Sequence, residues 1–181
     1  MADNETLVDT DALDLEAAIE QVVNGDSDDF FELAAILGLN PLTDFVGSDL
    51  HGITLKPGSD LSGANLRSTN LTLAHLKGAN LNGANLSEAR LSYANLNGAN
   101  LSGANLGGVS FKGADLWFAN LSYANLSRAD LKGADLSGVI VEGTRFKATE
   151  GIDRAMQREL MERGAIFEDS PGDHSDISTR R

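Results

Sequence analysis

Side chains able to do chemistry are few in this chain. There are three histidines, His51, His75 and His174, and no cysteine. A histidine base needs an oriented hydroxyl or thiol within hydrogen-bond reach, and no local pattern marks such a nucleophile. His75 stands where neighbouring segments carry Asn, so an ordinary surface position is expected. Asp115 and Asp135 are twenty residues apart in a repeating stretch. Two carboxylates brought close can bind a cation or raise one pKa. Asp is nevertheless an ordinary variant at these positions, and no metal site is assigned to them. Triplets such as Asn70-Leu71-Thr72 and Asn85-Leu86-Ser87 match the glycosylation pattern but arise automatically from the repetition. No catalytic residue, cofactor-binding residue or metal ligand is assigned, and the chain is expected not to be an enzyme.

The aromatic side chains are more informative. Trp117, Phe118 and Tyr123 occupy positions where Ser, Lys, Asn and Gly are the rule, and Tyr93 does likewise. On a polar surface such residues suggest a protein contact. The competing reading is that Tyr and Phe at corners simply cover a turn.

The elements that must position these residues come from a five-residue repeat running unbroken from Ser59 to Ala148. Ala64-Asn65-Leu66, Ala79-Asn80-Leu81, Ala99-Asn100-Leu101, Ala124-Asn125-Leu126 and Ala134-Asp135-Leu136 are successive statements of one unit. The unit centres run from Leu61 to Phe146 and are Leu except for Phe111, Val141 and Phe146. A helix cannot use this pattern: a five-residue step rotates the centre by about 500°, scattering the Leu residues around the cylinder. Gly every few residues would cost a helix a further ~1 kcal/mol each. In a short extended segment, positions two apart share a side. Ala and Leu then face inward, the Asn or Asp between them faces outward, and the following Gly permits a corner. Extended triplets alternating with corners must coil, and small Ala beside larger Leu fills a narrow interior.

The run Ala-(Asn/Asp)-Leu-(Ser/Lys/Asn)-Gly resembles the pentapeptide-repeat family. The resemblance implies a β solenoid, specifically a right-handed quadrilateral β-helix of about 4.5 coils, four units to each square coil. Residues twenty apart would then stack, so that Asn65, Asn85, Asn105 and Asn125 form an amide ladder, and Asp115 lies beside Asp135. A leucine-rich repeat would need L-x-x-L-x-L spacing, which is absent.

The ends differ from the middle. Residues 1–58 carry a net charge of −12, residues 59–148 carry +2, and residues 149–181 carry −3. Residues 1–47 are expected to form an N-terminal helical cap. Its helices are placed from Thr10 to Gly25, from Phe30 to Leu37, and after Asn40-Pro41. The β-helix is expected over 48–148, with Leu50 to Leu55 as a lead-in strand. Residues 149–167 are expected to give a single capping helix and a short extension. Thr149 is its N-cap, Ile152, Met156, Leu160 and Met161 form its stripe, and Gly164 ends it. Residues 168–181 read as a disordered tail. Such caps would cover the unpaired backbone and apolar residues that a stacked coil leaves at its ends.

No signal peptide or apolar run of membrane-spanning length is seen, so a cytoplasmic location is expected. The bases of the rod (Arg67, Lys77, Arg90, Lys112, Arg128 and Lys132) read as scattered over different faces. Nucleic-acid binding has little support in an acidic chain. No cofactor or small-molecule substrate is expected. The reading that follows is a rigid, non-enzymatic scaffold for an unspecified protein partner. The resemblance implies the cyanobacterial type with helical caps and a regulatory setting such as heterocyst differentiation. Its alternative is a DNA-mimicking modulator of DNA gyrase, as fluoroquinolone-resistance members of the family are. Mimicry needs negative charge along the rod, where this sequence has little.

Overall fold

The structure is a computed structural model, and it describes residue 40 and residues 45–168. The expected helices before residue 40, the start of the third after Asn40-Pro41, and the tail after residue 168, with His174, lie outside the described residues; residues 45–47 are a turn.

Every unit folds as the alternation requires. All the centres from Leu61 to Phe146 are buried, and so are the Ala, Val, Ser and Thr residues two positions earlier, except the half-buried Ala134. The residue between them faces outward and makes one parallel bridge to the residue twenty positions on. Four bridge series result, and they define four walls. One runs Asn65, Asn85, Asn105, Asn125, Arg145; the next Asp49, Asn70, Arg90, Ser110, Asp130, Glu150. The third runs Thr54, His75, Asn95, Asp115, Asp135, and the fourth Asp60, Asn80, Asn100, Asn120, Ile140. Each bridge uses both backbone groups, as where Asn100 donates to the Ala79 carbonyl at 2.9 Å and Leu81 donates to the Asn100 carbonyl at 2.7 Å.

Between walls the chain turns. The Ala64 amide donates to the Leu61 carbonyl at 3.1 Å, closing a four-residue turn whose third residue, Gly63, has φ +71°. That is the position where a left-handed residue is wanted and Gly is preferred. Where Gly is missing the corner stays left-handed, at Ser68, Leu73, Glu88, Tyr93, Phe118, Tyr123, Arg128 and Ala148.

The expected amide ladder is present. Asn85 Nδ2 donates to Asn65 Oδ1 and Asn105 Nδ2 to Asn85 Oδ1, both at 3.2 Å, and Asn125 Nδ2 to Asn105 Oδ1 at 3.4 Å. The same Oδ1 atoms accept the amide two residues on, so each Asn fastens its own turn and the next coil together.

Two boundaries and one element differ from those expected. The bridges of Asp49 to Asn70 and Thr54 to His75 precede the unbroken repeat, inside the span 48–148, and Leu50, Ile53 and Leu55 are buried. These bridges span 21 residues instead of 20 because one extra residue separates Leu55 from Leu61, taken up at Gly58 with φ +88°. Leu50 to Leu55 is therefore coil with isolated bridges and not a lead-in strand. At the other end Thr149 is not a helix cap. Its hydroxyl donates to the Leu126 carbonyl at 2.9 Å, and Glu150 bridges Asp130, so the coil continues through both. Helix α1 is Arg154–Glu162, capped by Asp153, whose carboxylate accepts the Ala155 and Met156 amides at 2.9 and 2.8 Å. Finally, Glu168 belongs to a strand and not to the tail. Strand β1, Arg145–Lys147, pairs in parallel with β2, Ile166–Glu168, on the far side of the helix.

Ile152, Met156 and Leu160, four residues apart, face the core, and Leu160 is fully buried. Met161 is one residue past that stripe and is exposed. The Phe167 ring stacks on Phe146 with centroids 4.6 Å apart and planes 8° from parallel.

Candidate protein-contact surface

Trp117 follows Asp115 and Leu116 to the edge of the His75 wall, and Phe118 makes the corner into the Asn80 wall. Their ring centroids are 4.5 Å apart at an angle of 54°. Tyr123 makes the next corner of the same coil, between the Asn80 and Asn65 walls. Their exposures are 45%, 56% and 69%. Tyr93 is also exposed, but it stands on a different edge, one coil earlier and across the His75 wall, in line with the exposed Leu73.

Phe118 and Tyr123 pay for their positions in backbone conformation, with φ of +55° and +61°. Each ring also lies over the bare corner of the next coil. A methyl placed on Gly138 would come 2.6 Å from Phe118 Cδ1, and one on Gly143 would come 2.5 Å from Tyr123 Cδ1. Tyr93 covers Gly113 in the same way. Such cover is not needed for the corner to form, because Gly63, Gly83, Gly98 and Gly103 have nothing within 4 Å and adopt the same φ.

Ile140 is a fourth exposed apolar residue that the aromatic signal does not reveal. It bridges Asn120 on the wall between the Phe118 and Tyr123 corners. Its signal is the triplet Val139-Ile140-Val141, the one unit with an apolar residue at the outward position.

The rod bases occupy different walls but unequally, and the Asn70 wall also carries Asp49, Asp130 and Glu150. Arg67, Arg145 and Lys147 lie along the Asn65 wall, Arg90, Lys112 and Lys132 along the Asn70 wall, and Arg128 at the corner joining the two. Several are paired, Lys132 with Glu150, and Arg145 and Lys147 with Glu168 at 2.6 and 3.4 Å. The His75 and Asn80 walls hold Asp60, Asp115, Asp135 and Glu142 against Lys56 and Lys77. The apolar surface lies on that acidic side.

Asp115 and Asp135 are bridged neighbours as expected. Asp115 Oδ1 accepts the Trp117 amide at 3.0 Å and Asp135 Oδ1 the Ser137 amide at 2.9 Å. Bonds from the Ser137 side chain and amide hold the Asp135 carboxyl below the usual range. Among the described residues no three metal-ligating side chains converge. His51 and His75 are exposed on different segments, and no described bond joins either ring to a hydroxyl or carboxylate. No described helix is long and apolar enough to cross a membrane.

The model for pentapeptide repeats matches residues 57–83, 69–108 and 110–147, with 8 copies. The chain belongs to the pentapeptide-repeat family. Such proteins form right-handed β-helices, and the bridged coil is that fold. Solved structures similar to this pentapeptide-repeat chain include one from the Arabidopsis thaliana thylakoid lumen, 25% identical, with a TM-score of 0.47 over 71% of this chain and 81% of that one. A second is Rfr23 from the cyanobacterium Cyanothece, 28% identical, with a TM-score of 0.31 over 56% of this chain and 85% of the other. A third is the plasmid-mediated fluoroquinolone resistance protein QnrB1, 20% identical, with a TM-score of 0.28 over 69% and 91%. No curated protein sequence matches the chain.

Proposed function

We propose that this protein is a rigid, non-enzymatic interaction module that holds a protein partner on the surface of Trp117, Phe118, Tyr123 and Ile140. Family membership supports the class, since pentapeptide-repeat proteins are generally structural or interaction scaffolds. The observation that carries the site is the pair of aromatic corners. A left-handed backbone costs a residue other than Gly roughly 1 kcal/mol or more, and uncovered Gly corners fold in the same coil. Large exposed rings kept at strained positions, one of them against Trp117, have the makeup of an anchor cluster. Tyr93, with Leu73, is a separate and smaller candidate contact.

The coil is closed by its ends in this reading. The residues that precede the coil are read as an N-terminal helical cap, and α1 with β2 as the C-terminal one, over a coil of about five turns. The setting proposed is regulatory, as the family resemblance implies. Gyrase modulation by DNA mimicry has less support, because the acids of the walls are few and the Asn65 and Asn70 walls are rich in bases.

The test is affinity capture from source-cell lysate, with wild type beside a variant carrying Trp117→Ser, Phe118→Gly and Tyr123→Gly. Each change installs a residue the repeat already uses at that position. A partner held by wild type and lost by the variant is the expected result. A partner held equally by both would remove this surface from the reading.

A further inference from the structure

We infer that the partner segment held on this surface is basic, presenting Arg or Lys side chains to the rings and to Asp115 and Asp135. This deepens the protein-contact reading and rests on it. The apolar cluster is small and does not stand alone: Asp115 is two residues before Trp117, Asp135 is its bridged neighbour one coil on, and Glu142 neighbours the Tyr123 corner. Neither aspartate makes an ion pair among the described residues, and each commits one carboxylate oxygen to its own turn. Bridged strands lie ~4.8 Å apart, so the two aspartates are neighbours on one wall. A cation placed over that wall can meet both.

The bases near the patch do not supply this cation. Lys77 and Lys56 are two and three coils below Trp117 on the same wall. Arg163, on the helical side, is engaged with Glu159 and the Val139 carbonyl. The remaining rod bases line the two opposite walls. A guanidinium can lie on the face of Trp117, Phe118 or Tyr123 while reaching a carboxylate, combining cation–π and ionic attraction at one point. The net charge of −13 adds long-range steering of the same sign. An acidic partner would meet both the patch aspartates and the field of the whole chain.

Trp117 is the only tryptophan, so its fluorescence reports this surface alone. The probe is a short blocked peptide alternating Arg and Leu, titrated beside its Glu-and-Leu counterpart. The expected result is a saturable change in Trp117 emission with the arginine peptide and none with the glutamate peptide. Asp115→Asn with Asp135→Asn should weaken binding about tenfold, a loss of about 1.4 kcal/mol, and Phe118→Gly with Tyr123→Gly should weaken it similarly. Asn and Gly are the repeat's commonest residues at these positions, so all four changes should leave the coil folded. Glu88→Gln with Asp130→Asn removes the same charge from the opposite side and should leave binding unchanged. Equal loss from both charge pairs would reduce the effect to net charge and overturn the proposal, as would absence of saturable binding or equal binding of the glutamate peptide. If a captured partner is lost by the aromatic variant yet unaffected by the two Asp→Asn changes, the contact surface stands and its basic occupant does not. If the aromatic variant keeps the partner, both fail.

Discussion

Gly63→Ala and Gly143→Ala make the same change in the same backbone conformation, at φ +71° and +65°, but only Gly143 has a neighbour in its way. Each should lose about 1 kcal/mol or more from placing Cβ on a left-handed residue. Gly143→Ala should lose a further ~0.5–1 kcal/mol, the size of an off-rotamer side chain, because the Tyr123 ring must leave its place. In a Tyr123→Gly background the two substitutions should cost the same by equilibrium unfolding, and a persistent difference would show that the ring does not rest on that corner. At the centres the scale is larger. Leu101 is fully buried mid-rod, so Leu101→Ala should cost about 2–5 kcal/mol. A cost below ~0.5 kcal/mol, that of a surface substitution, would contradict its burial.

At the scale of elements, the C-terminal closure depends on an ion cluster. Glu168 in β2 is held below its ordinary value of 4.5 by hydrogen bonds from Arg145 first and Lys147 second, both in β1. A carboxyl whose folded pKa is depressed contributes stability that is present above its unfolded value and lost as pH falls through the folded one. Protection of the Ile166–Glu168 amides from hydrogen exchange should therefore fall below about pH 4.5, and raised salt should lessen it at neutral pH because the group is exposed. Glu168→Gln should give the low-pH behaviour at every pH. Unchanged protection in that variant would locate the closure in the Phe146–Phe167 stack alone. These elements were unequally legible. Period five with small, polar and large residues in fixed order has one inward solution, so the coil and its Asn ladder could be read directly. The extra residue near Pro57-Gly58 shifts the phase and hides the first two units. Thr149 and Asp153 are both competent helix caps, and only the Leu126 carbonyl, 23 residues away, claims the first for the coil. Ile140 and the sorting of bases became visible once the chain was folded four units to a turn.

At the scale of the whole molecule, the coil is a stack whose end layers must be covered. Phe146 is buried because Phe167 lies on it, and β1 has β2 as its last partner. Ending the chain at Gly151 removes both and leaves an apolar ring beside an unpaired parallel strand, the arrangement that invites another chain. Such a protein should self-associate with rising concentration in sedimentation velocity, whereas the full chain should not. Phe167→Asp, which keeps the full length and places a charge over Phe146, should do the same more weakly. Charge sets how far association goes. Residues 1–58 carry −12 and lead into the coil from its first units, so head-to-tail stacking would bring this charge towards every junction. Two shortened chains meeting tail to tail keep their acidic ends apart and cover the surface that the truncation opens. The shortened protein should therefore stop at a dimer, strengthened modestly by salt. Growth beyond a dimer would show that the start of the coil is open as well. A strict monomer with an intact coil would remove the capping role of α1 and β2.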